Sequence, residues 1–222
     1  MKRRKVLRVL VTVGPTQEPI DAVRFLSNRS SGRMGYAVAE TAREAGCRVT
    51  LATGPVCLTP PDGVRVLRFE TTQDLARLLE REAPRSDLVF MLAAVADWRP
   101  ARAARGKRPR AGGRWALPLA PTPDLLARLG ARRDRPFVVG FSLEERWNRA
   151  RALRKMDVKR CDLMVLNTLR SMGADRTRLE LLERMGHIAS RAGSKSSCAR
   201  WLVREVLRRY RGKGQQPRGE LS

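Results

Sequence analysis

Aromatic residues are scarce in this chain, at 5% of 222 residues, and it has one histidine. So few rings leave no row of stacking platforms for single-stranded nucleic acid. His187 stands alone in a turn-like Met185-Gly186-His187 and reads as a surface residue. No grouping of His, Cys and carboxylates has the spacing of a transition-metal site, so no protein-held metal is expected. The four cysteines, Cys47, Cys57, Cys161 and Cys198, are scattered without a C-x-x-C pair. That argues against a disulfide framework and makes a reducing cytoplasm the default compartment. No apolar run approaches the length of a membrane span. The basic start, Lys2-Arg3-Arg4-Lys5, precedes a short apolar run with no signal-peptidase site, so it reads as the approach to a first strand.

Acidic residues are also few: 22 Asp and Glu stand against 46 Lys and Arg, a formal charge of +24. The arginines are spread over nearly every segment rather than gathered in a block. Two readings stay open, a general arginine bias of the source proteome or a positive field that draws in an anionic substrate. The charge alone does not license a nucleic-acid partner.

What is present is an alternation of strand and helix. Lys5 to Val13 is rich in Val and Leu and suits a buried central strand. A helix follows from about Gly32 to Ala45, stopped by Gly46, then a strand over Arg48 to Thr53. Val64 to Phe69 is a third strand. Thr71-Thr72-Gln73-Asp74 starts a helix through Leu75, Leu78 and Leu79 that stops near Pro84. Asp87 to Ala94 is a nearly all-apolar fourth strand. Further on come a short strand at Trp115 to Leu119, a helix at Leu125 to Leu129, and a strand at Phe137 to Phe141. They are followed by a helix from Leu143 to Lys155, a strand over Asp162 to Asn167, a hairpin near Arg178 to Leu182, and a helix from Ser196 to Tyr210. The pattern predicts a doubly wound, mostly parallel Rossmann-like α/β sheet with an additional small β extension. Residues 1–210 read as a single domain and 211–222 as a disordered tail.

Two nucleotide signatures are missing from that frame. The turn after the first strand is Gly14-Pro15-Thr16 and the second strand ends without an acid, which disfavours a nicotinamide dehydrogenase. The P-loop pattern is absent too. Instead the chain is organised around Arg24 to Gly35, a polar loop running into a helix start. Ser30 and Ser31 could cap that helix, or its free N–H groups could bind phosphate or carboxylate. Gly32 and Gly35 allow a close approach to the backbone. Residues 102–114 form a basic, Gly-containing segment without hydrophobic periodicity, either a surface loop or a mobile flap.

The stretches Val11 to Asp21, Val23 to Gly35, Ala93 to Pro100, and Val139-Gly140-Phe141 with Glu144 are together similar to one family, phosphopantothenoylcysteine synthetase. The similarity spans Val9 to about Tyr210 and resembles a stand-alone form without the flavin decarboxylase domain. It implies an enzyme of coenzyme A biosynthesis that joins 4′-phosphopantothenate to cysteine. CTP and Mg²⁺ would activate the carboxylate as an acyl-cytidylate, and the enzyme would work as a homodimer. By the resemblance, Asn28 and Lys107 are catalytic. Met91, Leu92, Ala93, Asp97, Lys107, Pro123, Asp124, Leu125, Leu126, Phe141, Lys155 and Lys159 contact the nucleotide. Arg24, Asn28, Ser30, Ser31 and Gly32 bind substrate. The chain departs from the family pattern at Thr122, Thr168 and Thr177, and in the strap Lys107-Arg108-Pro109-Arg110. Those departures keep two alternatives in view: an altered or silent nucleotide-binding paralogue, and a basic nucleic-acid-binding protein that reuses the fold.

Overall fold

The computed structural model describes residues 5–110 and 112–213. Its strands are β1 (Arg8–Val13), β2 (Gln17–Pro19), β3 (Phe25–Ser27), β4 (Arg48–Thr53), β5 (Arg65–Arg68), β6 (Leu88–Met91), β7 (Trp98–Pro100), β8 (Leu119–Pro121), β9 (Phe137–Glu144), β10 (Leu163–Thr168), β11 (Arg176–Glu183) and β12 (Gly186–Ser194). Its helices are α1 (Arg33–Glu44), α2 (Thr72–Glu82), α3 (Leu125–Gly130), α4 (Arg149–Val158) and α5 (Lys195–Lys213).

Eight strands make one sheet in the order β12-β11-β10-β9-β6-β1-β4-β5. All neighbours are parallel except β11 and β12, which add an antiparallel edge. The chain winds outward from β1 through β4 to β5, then returns to β6 and runs the other way. The β1–β6 boundary is therefore a topological switch point, where open α/β sheets bind ligands beyond the carboxyl ends of the strands.

Strand periodicity explains why the sheet takes helices on both faces. Val9, Val11 and Val13 bury against α1 and α5, while Leu10 points into the opposite core with α2, α3 and α4. Leu163 and Val165 of β10 alternate with Met164 and Leu166 in the same way. The first turn of α2 carries the capping box that Thr71 and Asp74 foreshadow. Two small antiparallel ribbons, β2–β3 and β7–β8, lie outside the main sheet.

Several sequence expectations need correction. Trp115 to Leu119 is not a strand; β8 begins at Leu119 and pairs with β7. No helix starts at Leu143. There β9 runs on to Glu144, whose buried carboxylate is met by Lys155, and α4 starts only after Asn148, whose side chain caps Arg151 N–H. The hairpin near Arg178 is larger than expected, and β11 lies inside the main sheet between β10 and β12. Neither Ser30 nor Ser31 caps α1, because Gly32 occupies the cap position with φ +74° and no side-chain bond forms. Helix α5 continues through Lys213, so the expected tail does not begin at Arg211. The rest of that tail, 214–222, lies outside the described residues.

Candidate active site

A cavity of about 490 Å³ opens at the β1–β6 switch point. Hydrogen bonds between the loops after β1 and β6 fix one wall. Thr12 Oγ1 accepts Ala93 N–H at 3.2 Å, Gly14 O accepts Ala94 N–H at 2.9 Å, and Thr16 Oγ1 accepts Ala96 N–H at 3.0 Å. Ala94 O accepts two donors, Thr16 N–H at 3.2 Å and Asn28 Nδ2 at 3.0 Å. Asn28 therefore lines the cavity in a fixed orientation, with one amide N–H committed and its other polar groups available.

Glycine geometry sets the facing wall. Gly35 packs so tightly on β1 that a Cβ would sit 2.6 Å from Val13 Cγ2. That draws the start of α1 against the strand, with Ser30, Ser31 and Gly32 along the cavity.

The structure brings most of the residues singled out in the sequence to this one place. Asn28, Ser30, Ser31 and Gly32 line it from the loop before α1, and Met91, Leu92, Ala93 and Asp97 from the end of β6 and beyond. Pro123, Asp124, Leu125 and Leu126 line it from the start of α3, Phe141 from β9, and Lys159 from the end of α4. Lys159 Nζ pairs with Asp124 at 3.2 Å, and Asp124 also caps α3 by accepting Ala127 N–H at 2.9 Å.

Three residues are elsewhere. Lys155 does not line the cavity; its Nζ meets Glu144 at 2.6 Å. Burial works to raise the Glu144 carboxyl, but Lys155, Ser142 and Arg151 outweigh it and hold it below the usual glutamate range. Arg24 belongs to a second cluster, with Arg108, the residue that follows Lys107. The buried Asp21 carboxylate accepts from the Arg24 guanidinium and from the N–H groups of Val23, Arg24 and Arg108. Arg24 in turn donates to Arg108 O at 3.1 Å, and the Arg24 and Arg108 guanidinium carbons lie 5.8 and 4.6 Å from the Trp115 ring centre. Ala104 N–H adds a bond to Ile20 O at 3.0 Å. The basic segment is thus fastened to the turn before β3, and Lys107 does not line the cavity.

The cavity also contains residues to which the sequence reading assigned no site role: Arg33, Asn167, Thr177 and Lys195, with Ser171 to Gly173. The hydroxyl of Ser171 accepts from Asn167 Nδ2 at 2.9 Å. These positions come from α1, β10, β11 and α5, which are distant in sequence, so no local motif marks them as one group. Thr122, a departure from the family pattern, lines the cavity, whereas Thr168 does not. Among the described residues no three His, Cys, Asp or Glu side chains gather to hold a metal ion, and no helix is long and apolar enough to cross a membrane.

Residues 4–210 match the family model described as the DNA/pantothenate metabolism flavoprotein C-terminal domain. The chain is 35% identical over 208 residues to the coenzyme A biosynthesis bifunctional protein CoaBC of Haemophilus influenzae, covering 92% of this chain and 52% of that protein. It thus spans about half the length of the curated relatives it matches. A crystal structure of the C-terminal domain of a coenzyme A biosynthesis bifunctional protein CoaBC is similar, with TM-score 0.79 and 29% identity over 94% of this chain and 100% of that one. A Cab2 mutant in complex with phosphopantothenate-cysteine shares the fold at TM-score 0.79 and 20% identity, over 93% of this chain and 87% of that one.

Proposed function

This chain belongs to the family of the DNA/pantothenate metabolism flavoprotein C-terminal domain, and on that premise we propose that it is a phosphopantothenate–cysteine ligase of coenzyme A biosynthesis. In this reading the carboxylate of 4′-phosphopantothenate attacks the α-phosphorus of CTP, pyrophosphate leaves, and an acyl-cytidylate forms. The amine of cysteine then attacks the acyl carbon, loses a proton, and releases CMP with the new amide.

One observation carries the proposal. A single cavity at the switch point joins Asn28 to Asp97, Lys159 and the Pro123–Leu126 start of α3. That arrangement suits a two-substrate condensation, because an adenylation-type step needs both reactants held in line and water kept out. The fixed amide of Asn28 can donate to an oxygen of the activated acyl group without competing as a nucleophile. Asp97, exposed on the cavity wall, and Phe141 would bound the nucleotide. Lys107 would act only if the strap left its seat on Asp21. Magnesium enters as part of the nucleotide co-substrate; Asp97 and Asp124 are the cavity's carboxylates, and Asp124 already holds Lys159.

The same reading places the protein in the cytoplasm and pairs it as a homodimer. Supporting the second point, Phe25 of β3, Trp98 of β7, Trp115 and Leu119 of β8 are all exposed on the two small ribbons and the segment leading into β8. The deciding experiment measures pyrophosphate release with CTP or ATP, adding phosphopantothenate and cysteine in turn. The ligase releases pyrophosphate with CTP and phosphopantothenate, and CMP only when cysteine joins them. Nucleotide turnover indifferent to phosphopantothenate would reject it.

A further inference from the structure

The first residue of α5 opens into the cavity with its charge unmatched. Lys195 lines the same wall as Arg33 at the start of α1. Its backbone N–H is taken by Asp175 O at 3.1 Å. Its ammonium, half-buried, has no hydrogen bond or ion pair among the described residues. Of the three lysines assigned to the nucleotide, Lys155 and Lys159 are paired, with Glu144 and Asp124, and Lys107 lies off the cavity. Burial, and then the neighbouring Arg33 charge, push Lys195 below the usual lysine range, with Asp175 working the other way. A partly desolvated cation of this kind is costly to leave without an anion.

Arg33 adds a second cation to the same place. Its guanidinium is held at 2.6 Å by Asp175, whose side chain is 87% exposed, so the pair is well screened. Arg33, Lys195 and Asp175 together still carry a charge of +1. The start of α1 lies beside them without a side-chain cap, and its dipole adds to the positive potential.

We propose that Lys195, assisted by Arg33, is a phosphate-binding residue of this cavity. The inference rests on the ligase reading for its two candidate sources, the polyphosphate tail of the nucleotide or the phosphate monoester of phosphopantothenate. A carboxylate alone is the poorer match, because two cations and a helix start suit a doubly charged group. Lys195 would act by holding charge in place, with no proton passing through it.

Calorimetric titration of inorganic pyrophosphate, and separately of 4′-phosphopantothenate, into wild type, Lys195→Met and Lys195→Arg tests this. Lys195→Met is expected to weaken one ligand by about tenfold or more, and Lys195→Arg to restore most of it. A loss confined to pyrophosphate identifies the nucleotide tail; a loss confined to phosphopantothenate identifies the monoester. In turnover, the KM of that substrate should rise more than kcat falls. Unchanged affinity for both ligands in Lys195→Met overturns the assignment, provided its circular dichroism matches wild type. Should wild type prove inactive while pyrophosphate binding still depends on Lys195, the ligase reading falls and the phosphate site stands.

Discussion

Asn28 donates its side-chain amide to the carbonyl of Ala94 at 3.0 Å, joining the loop before α1 to the loop after β6. This bond spans 66 positions of sequence and aims the amide at the cavity. Replacing it by Asn28→Asp puts a carboxylate opposite a carbonyl and, on the proposed ligase reading, next to the phosphoryl oxygens of the intermediate, where it repels both. CTP binding and folding are expected to survive. Transfer to cysteine should fall by about a hundredfold or more, as when an oxyanion donor is lost. Rapid-quench analysis should show acyl-cytidylate formed but not consumed. Steady-state turnover at the wild-type rate would contradict the role.

The seat of the basic strap gives a second expectation. Asp21 accepts Arg108 N–H at 3.2 Å, and the Arg24 guanidinium beside it holds the Asp21 carboxyl well below the usual carboxylate range. A depressed folded-state value means this anchor is fully present above the unfolded aspartate pKa of about 4. It is lost only as pH falls through the lower folded value. The Tm gap between wild type and Asp21→Asn should therefore be flat above about pH 5 and close in stronger acid. At neutral pH, trypsin should cut within 102–114 faster in Asp21→Asn, and CTP with Mg²⁺ should slow cutting in wild type if the strap moves over the nucleotide. Equal cutting of the two proteins would mean that Asp21 does not hold the strap.

Two glycines separate packing from backbone strain. A Cβ on Gly35 would meet Val13 Cγ2 at 2.6 Å, so Gly35→Ala must push α1 off β1, at a cost of about 1–3 kcal/mol. Gly46 has φ +81° but open space around it, so Gly46→Ala should cost only the left-handed strain of about 1–2 kcal/mol. Urea unfolding measures both. Only Gly35→Ala should also weaken CTP, because it shifts the cavity wall that carries Ser30 to Gly32.

The legible parts of this protein are those where local pattern and tertiary burial agree. Val9, Val11 and Val13 alternate with Leu10 in a strand buried on both faces, and the Thr71–Asp74 capping box is visible in four residues. The β2–β3 ribbon is not legible as one, because Pro15 and Pro19 mark the first strand's segment as a turn and the second strand lies in the polar loop from Arg24 to Gly35. Its stability comes from a remote partner: Glu18, buried in β2, accepts Thr72 N–H at 2.8 Å across to α2. Strand β12 hides for a different reason, since Gly186-His187-Ile188-Ala189-Ser190 lacks alternation and gains its place by pairing with β11. In the site, the motif-borne residues were visible from the sequence, while Lys195 and Arg33 meet only through the packing of α1 against α5.

The last expectation concerns assembly. Leu179 to Leu182, the apolar part of the hairpin, is buried inside the main sheet between β10 and β12 and offers no edge to a second chain. Leu119 pairs back onto β7 in its own chain, so its backbone needs no second copy. What stays unburied is side-chain surface: Val23 at 60%, Trp98 at 54%, Phe25 at 48%, with Trp115 and Leu119 close behind. These five large apolar groups stand on two short ribbons and their flanks, and apolar exposure gathered in one place marks an interaction surface. A two-fold axis would cover them with one self-complementary surface. Arg24 and Arg108 flank Trp115, and each chain carries +24, so association is expected to strengthen as salt screens the repulsion. Sedimentation at physiological ionic strength should give twice the 25.0 kDa chain mass. Trp98→Glu and Phe25→Glu should each return it to a single chain with α2 and the main sheet intact by circular dichroism. A wild-type species near 25.0 kDa across a wide concentration range would leave these side chains without a partner copy and remove the dimer from the proposal.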